Sequence, residues 1–328
     1  MSACPGDFAG SNECYASGVS VVVPVYNGSQ TLESLCDRVD RVFAALGKDY
    51  EIIMVNDGSH DDSWSRIVQL GARPHVHGIN LFRNYGQHNA LLCGIRAARY
   101  EVIVTIDDDL QNPPEEIPAL VEKLGGAIDV VYGAPEKRNH GFLRDLASEI
   151  TKRALQASMG VDAARHVSAF RAFKTYLREA FKSYNSPMVS IDVLLTWGTS
   201  RFGYVVVKHD RRAFGASNYT LPMLIAHAVN MITGYSTKPL QFTSIIGFTF
   251  TLFGLSMLIF IVMRFLICGA VIPGFAFLAS SIAIFSGVQL FCLGVIGEYL
   301  ARIHLRTMER PAYAIHEIIG STTLREGQ

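Results

Sequence analysis

The sequence predicts an α/β domain built on a mostly parallel sheet, followed by a pair of membrane-spanning helices. Three observations carry this. Between Val19 and Lys208, short β-branched apolar runs alternate with stretches whose apolar residues recur at helical spacing. Several of those runs end in clusters of Pro, Asn, Asp and Gly, the punctuation of a chain leaving a sheet. After residue 240 charged residues become rare, and two uncharged stretches are each long enough to cross a bilayer.

Residues 1–18 have neither a basic segment nor an apolar core, so they read as a loose tail and not a signal peptide. Val19–Val25 is a buried strand running into a turn at Asn27-Gly28. Leu32, Leu35, Val39, Val42, Phe43 and Leu46 make Thr31–Leu46 a helix. Glu51–Val55 is a second strand, closed by Asn56-Asp57-Gly58-Ser59, and Asp61–Leu70 a short helix. Val76–Phe82 is a third strand and Gln87–Ala98 a helix. Val102–Ile106 forms a fourth strand that ends in Asp107, Asp108 and Asp109, and Pro113-Pro114 forces the chain out of the sheet. A helix at Glu115–Leu124 and a strand at Asp129–Tyr132 follow. Gly141–Ser158 is a basic amphipathic helix, Pro187–Trp197 is helical, and Phe202–Lys208 is a late strand.

Leu221–Tyr235 is apolar with few charges, suited to lying along a membrane surface. Phe242–Met263 and Phe275–Gly297 then read as spans. A helical hairpin buried in a soluble core is the alternative, and it would need far more protein to cover it. Lys238 precedes the first span and Arg302, Arg306 and Arg310 follow the second, so both ends are expected on the cytoplasmic side. The expected organisation is a tail at 1–18, a cytoplasmic α/β domain at 19–220 and an interfacial helix at 221–240. Two spans lie within 241–300 (about 242–264 and 275–297), and 301–328 is a cytoplasmic tail. This describes a multi-pass protein of the inner (plasma) membrane.

Lysine plus arginine and aspartate plus glutamate number 29 each, so the balance gives no support to a nucleic-acid partner. Six scattered cysteines without a CxxC pair or zinc spacing read as reduced structural thiols. Loops leaving one edge of a parallel sheet converge on one crevice. Here they bring an aromatic ring for a base, carboxylates for ribose hydroxyls, and hard oxygen ligands suited to Mg²⁺ or Mn²⁺ shared with phosphates. For an isolated Asp-x-Asp the plain alternative is a solvated turn capping the next helix. No GxGxxG follows the first strand and no GxxxxGK[ST] occurs, which leaves a dinucleotide fold or a P-loop ATPase unsupported.

The ordered set VPVYN, VNDGS, RNYGQHNALLCG and DDDLQNPPE resembles glycosyltransferase family 2, with its GT-A fold, over close to the full length. Arg144-x-x-x-Ser148, His209-x-x-Arg212-x-x-Gly215-x-Ser217-x-Tyr219 and Glu309-Arg310-Pro311-x-Tyr313 resemble its polyprenyl-phosphate glycosyltransferase branch. The resemblance implies inverting transfer of one sugar from a nucleotide-sugar, foremost a UDP-sugar, to polyprenyl (undecaprenyl) phosphate. It implies a donor site of Pro24, Tyr26, Asn27, Asp57, Ser59, Asn84, Gln87, Asp107, Asp108 and Arg212. Metal binding falls to Asp109, Gln111 and Asp107, and catalysis to Asp107, Asp109, Arg144 and Arg212. Arg144, Ser148 and Ser217 match acceptor-phosphate positions, and Arg138 joins their basic cluster by spacing. Members of this branch assemble as tetramers, which implies a homo-oligomer.

Three positions depart from patterns among relatives: Gly28 stands where many have an acid, Asn218 where they have a lysine, and Ala169 where the glucosyltransferases, but not the aminoarabinose branch, have an aspartate before Phe170-Arg171. Two other functions compete. One is a catalytically silent, membrane-anchored nucleotide-sugar-binding module. The other is a processive polysaccharide synthase, which needs further spans and a QxxRW motif that the sequence lacks.

Overall fold

The computed structural model describes residues 15–135, 166–210, 238–268 and 274–320. The described residues fall into two compact units, one carrying all the strands and the shorter helices, the other the two long helices near the C-terminus.

The first unit opens with β1 (Ala16–Val25), α1 (Leu32–Leu46), β2 (Tyr50–Asn56), α2 (Ser63–Leu70), β3 (Val76–Leu81), α3 (Gln87–Ala97) and β4 (Tyr100–Thr105). A single 3₁₀ turn at Pro114–Glu116 leads into α4 (Ile117–Lys123), where the sequence predicts one longer helix; Pro113 and Pro114 delay the start of regular hydrogen bonding. Then come β5 (Val130–Pro135), β6 (Arg171–Lys174), α5 (Ile191–Gly198) and β7 (Phe202–Val207). One eight-stranded sheet results, in the order β7-β5-β6-β4-β1-β2-β3-β8, with β8 at Ile315–Ile319. All strands run in one direction except β6 and β8, which run against their neighbours.

Two-residue alternation along β1 separates the core into two layers. Val19, Val21, Val23 and Val25 face one side, where Leu35, Val39 and Phe43 of α1, Ile67 of α2 and Leu120 of α4 cover them. Val22 faces the other side with Ile53 and Val55, beneath Leu91, Leu92 and Ile95 of α3 and Ile191, Leu194 and Leu195 of α5. Helices on both faces leave the carboxyl ends of the parallel strands as the open edge.

Residues 301–328 read as a tail in the sequence, yet they contribute β8. Its Ile318 pairs with Ile79 and its Glu317 with Asn80, so the chain re-enters the sheet after the long helices. Ahead of that strand, the Asn89 side chain on α3 donates to the Ala312 carbonyl at 2.6 Å. Five residues of mixed polarity, remote in sequence from every other strand, carry little period-two signal.

In the second unit, α6 (Lys238–Cys268) and α7 (Phe275–Thr307) contain stretches long and apolar enough to cross a membrane, Pro239–Arg264 and Ile284–Thr307. The most apolar 18 residues of each stretch include none that is buried within the protein. The second helix continues well past the expected end at Gly297, and Arg302 pairs there with Glu298 one turn earlier at 2.7 Å. The two helices touch through Phe250 and Phe285, whose rings meet edge to face at 5.9 Å.

Candidate active site

Three loops at the open edge are laced together by hydrogen bonds. Near the end of β1 Pro24 is buried, while Tyr26, just past the strand, is 46% exposed. Asn27 follows in the left-handed region, φ +55°, which asparagine tolerates better than most residues. Its N–H donates to Ser59 Oγ at 3.0 Å, and its side-chain oxygen accepts the His60 N–H at 2.8 Å. Gly28 N–H donates to Ser63 Oγ at 3.0 Å. The loop after β1 is thus fixed to the loop after β2.

Asp57 ties that second loop to the third. Its two carboxylate oxygens accept the Tyr85 and Gly86 N–H groups at 2.7 and 2.8 Å, and it is 3% exposed. Gly58 sits at φ +66°, and a β-carbon there would lie 2.5 Å from the backbone of Arg83 and Asn84. No other residue allows so close an approach. The family resemblance implies that Asp57 faces base and ribose; in the structure both of its oxygens accept from the loop after β3.

Burial, opposed by those two N–H groups, holds the Asp57 carboxyl above the usual aspartate range. The stability tied to its neutral form is complete below the unfolded aspartate value of about 3.9 and is lost as pH rises through the higher folded value. Asp57→Asn keeps one acceptor oxygen but aims an NH₂ at the other amide, which should destabilise by about 1–3 kcal/mol. Melting curves should show the wild-type advantage narrowing as pH rises through that window.

The acid loop leaves β4 after Thr105. Asp107 Oδ1 accepts from Gln87 Nε2 at 2.6 Å, joining this loop to the start of α3. Asp108 turns toward the first loop, its Oδ2 accepting the Tyr26 N–H at 3.4 Å. Asp109 Oδ1 accepts the Gln111 N–H at 3.1 Å across Leu110, which adopts φ +59°. Two contacts carry no signal in the sequence: Asp210 N–H donates to the Gln111 carbonyl at 2.8 Å, and His209 Nδ1 lies 3.3 Å from Asn112 Oδ1.

The glycine at position 28 now has a reason. A β-carbon there would lie 2.1 Å from Asp108 Oδ2, so an acid at this position is incompatible with Asp108 as placed. Gly28→Ala should displace the Asp108 carboxylate and, on the expectation that this loop holds a nucleotide-sugar, weaken nucleotide binding by about ten- to a hundredfold. Stability should stay within about 0.5 kcal/mol, because the displaced atom is the far end of a movable side chain. Nucleotide titration beside a melting curve checks both.

Tyr26, Asn27, Asp57, Ser59, Gln87, Asp107 and Asp108 are therefore bound into one set of loops, with Asp109 and Gln111 on the same acid loop. Asn84 and Ser59 also line a cleft of about 510 Å³ with Trp64, Phe82, Arg83 and His316. Arg138, Arg144, Ser148, Arg212 and Ser217, like the Gly141–Ser158 and Leu221–Tyr235 segments, lie outside the described residues.

Among the described residues, no three His, Cys, Asp or Glu side chains form a ready-made metal cage. The half-buried Asp107, Asp109 and Gln111 are hard oxygen donors on one loop. That donor set fits Mg²⁺ or Mn²⁺ completing its shell with phosphate oxygens and water.

Comparison with known proteins agrees with this geometry. Residues 20–184 match the model of "Glycosyl transferase family 2". A protein of Aeromonas hydrophila subsp. hydrophila, named undecaprenyl-phosphate 4-deoxy-4-formamido-L-arabinose transferase, is 35% identical across 93% of this chain and 95% of its own. A protein of the same name from Enterobacter sp. is 34% identical across 94% and 97%. Among solved structures, glucosyl-3-phosphoglycerate synthase from Mycobacterium tuberculosis, crystallised with Mn²⁺ and uridine-diphosphate-glucose, shares the fold. It is 23% identical at a TM-score of 0.50, over 66% of this chain and 77% of that one. A GT-A-like sheet with these loops at its open edge, and identity sustained along nearly the whole length, make this chain a glycosyltransferase belonging to glycosyl transferase family 2.

Proposed function

We propose that the protein transfers a single sugar from a nucleotide-sugar, foremost a UDP-sugar, to undecaprenyl phosphate at the cytoplasmic membrane face, inverting the anomeric centre. The observation that carries this reading is the identity to undecaprenyl-phosphate transferases, which extends over nearly the whole chain. In the same reading α6 and α7 form a multi-pass anchor with both ends on the cytoplasmic side, and the chain assembles as a homo-oligomer, a tetramer.

Pro24, Tyr26, Asn27, Asp57, Ser59, Asn84 and Gln87 would shape the base and ribose side, and Asp107 and Asp108 would face the donor. Asp109 and Gln111, with Asp107, would hold Mg²⁺ or Mn²⁺. When bound, such an ion supplies charge neutralisation at the departing nucleoside diphosphate. Gln87 keeps Asp107 oriented, and the Tyr26 N–H keeps Asp108 turned toward the first loop. Arg138, Arg144, Ser148 and Ser217 would receive the acceptor phosphate, and Arg212 would face the diphosphate.

The acceptor needs no general base. A phosphate monoester, with its second pKa near about 6, is largely dianionic at neutral pH and is already a nucleophile. Its oxygen forms the new bond to the anomeric carbon as the bond to the donor diphosphate breaks. The chain's task is to bring two anions together, which cationic side chains and preorganised dipoles do. Alanine at position 169, where glucosyltransferase relatives have an acid, is compatible with that chemistry.

Membranes carrying the protein, incubated with radiolabelled nucleotide-sugars and undecaprenyl phosphate, should yield an organic-soluble product that EDTA abolishes. A screen in which no donor gives such a product would favour the silent binding module.

A further inference from the structure

A cluster of buried polar side chains lies beneath the acid loop and takes no part in the contacts described above. Arg171 opens β6 at 1% exposure, and Asp192 stands in the first turn of α5 at 5%. Arg171 Nη1 donates to Asp192 Oδ1, which also accepts the Tyr132 hydroxyl at 3.0 Å. Arg171 Nε donates to Thr105 Oγ1 at 3.1 Å, and that fully buried hydroxyl donates onward to the Ala169 carbonyl at 2.6 Å.

An ion pair buried this deeply contributes little net stability, because removing both charges from water opposes most of the Coulombic gain. What the cluster provides is position. Thr105 ends β4, two residues before Asp107, and stands opposite Arg171 in the sheet register. The next N–H, of Ile106, donates to the Val22 carbonyl at 3.1 Å. The strand end is therefore held by β1 through its backbone and by Arg171 through its side chain. A second tie runs to the other flank. The Ile191 N–H of α5 donates to His88 Nδ1 at 3.4 Å, and the neighbouring Gln87 holds Asp107.

We infer that Thr105 is a positioning residue: its hydroxyl, oriented by the Arg171–Asp192 pair, sets where the acid loop presents Asp107 and Asp109. The inference rests on reading that loop as the site of the donor diphosphate. A loop held in place before binding spares the donor and its cation the ordering of those carboxylates. Position 169 then acts on this loop through its carbonyl, which alanine supplies as well as any residue.

The test uses the full-length protein in detergent. Thr105→Val keeps the branched shape and removes the hydroxyl, Thr105→Ser restores it, and Thr105→Ala serves if the valine variant does not accumulate. Tyr132→Phe loosens the same cluster on the side away from β4. Hydrogen exchange over Ile106–Asn112 without ligand is the first readout. Uptake of Mn²⁺ in the presence of UDP, followed by the electron paramagnetic resonance of free Mn²⁺, is the second.

Thr105→Val should exchange about tenfold faster over Ile106–Asn112, the equivalent of one net hydrogen bond, with α5 unchanged. Its Mn²⁺ uptake with UDP should weaken by a similar factor, and Thr105→Ser should stay within about twofold of wild type. Tyr132→Phe should melt earlier and leave both readouts as they were. Wild-type exchange over Ile106–Asn112 in Thr105→Val, or an equal loss in Tyr132→Phe, overturns the inference. Wild-type protein that takes up no Mn²⁺ with UDP overturns the donor reading instead, and the exchange comparison still decides the role of Thr105.

Discussion

Asp109→Asn should lose about 10²–10³-fold in turnover and all metal-dependent donor binding, with its fold intact. The reason lies in what asparagine keeps and what it drops. The retained side-chain oxygen still accepts the Gln111 N–H that closes the turn across Leu110. The missing negative charge, however, is the property that a hard divalent cation selects. Initial rates at saturating metal, together with UDP titrations with and without EDTA, separate the two effects. Equal rates for variant and wild type would remove Asp109 from the metal site.

Asp192→Ala should destabilise the α/β unit more than Asp57→Asn, Gly28→Ala or Thr105→Val. It strands the Arg171 guanidinium, with only 1% of its side chain exposed, beside a vacated position. Leaving one partner of a buried pair uncompensated typically costs about 3–5 kcal/mol. For a unit of this size that corresponds to a fall in melting temperature on the order of 10 °C. Replacing both partners by apolar residues, as in Arg171→Met with Asp192→Leu, should recover most of the loss, because neither charge then remains to be desolvated. A thermal melt of the three proteins decides it, and a loss under about 1 kcal/mol in the single variant would mean that the pair is not buried in solution.

Elements whose sequence signal is local were legible. The strands β1 to β5 and the helices α1 to α3 announce themselves by β-branched runs and by helical spacing between turn residues, and their ends fall within a few residues of expectation. So does the identity of the loops that meet at the open edge. Elements defined by distant partners were not. The four residues of β6 begin with a buried arginine, whose charge hides a strand until Asp192 is seen beside it. An acid in the first turn of α5 looks like an ordinary helix-start residue. The direction of the Asp57 carboxylate, and the dependence of Gly28 on Asp108, follow from loop contacts that no periodicity encodes.

The strand at Ile315–Ile319 has a topological consequence. A chain that leaves a folded body and later completes a sheet in that same body must traverse any intervening bilayer an even number of times. That parity is enforced by the ladder between β8 and β3, independently of where arginines flank the helices. Recombinant forms cut after the second long helix would bare the flank of β3, and, in the proposed two-span reading, deleting one helix alone would strand the returning strand on the far side of the membrane.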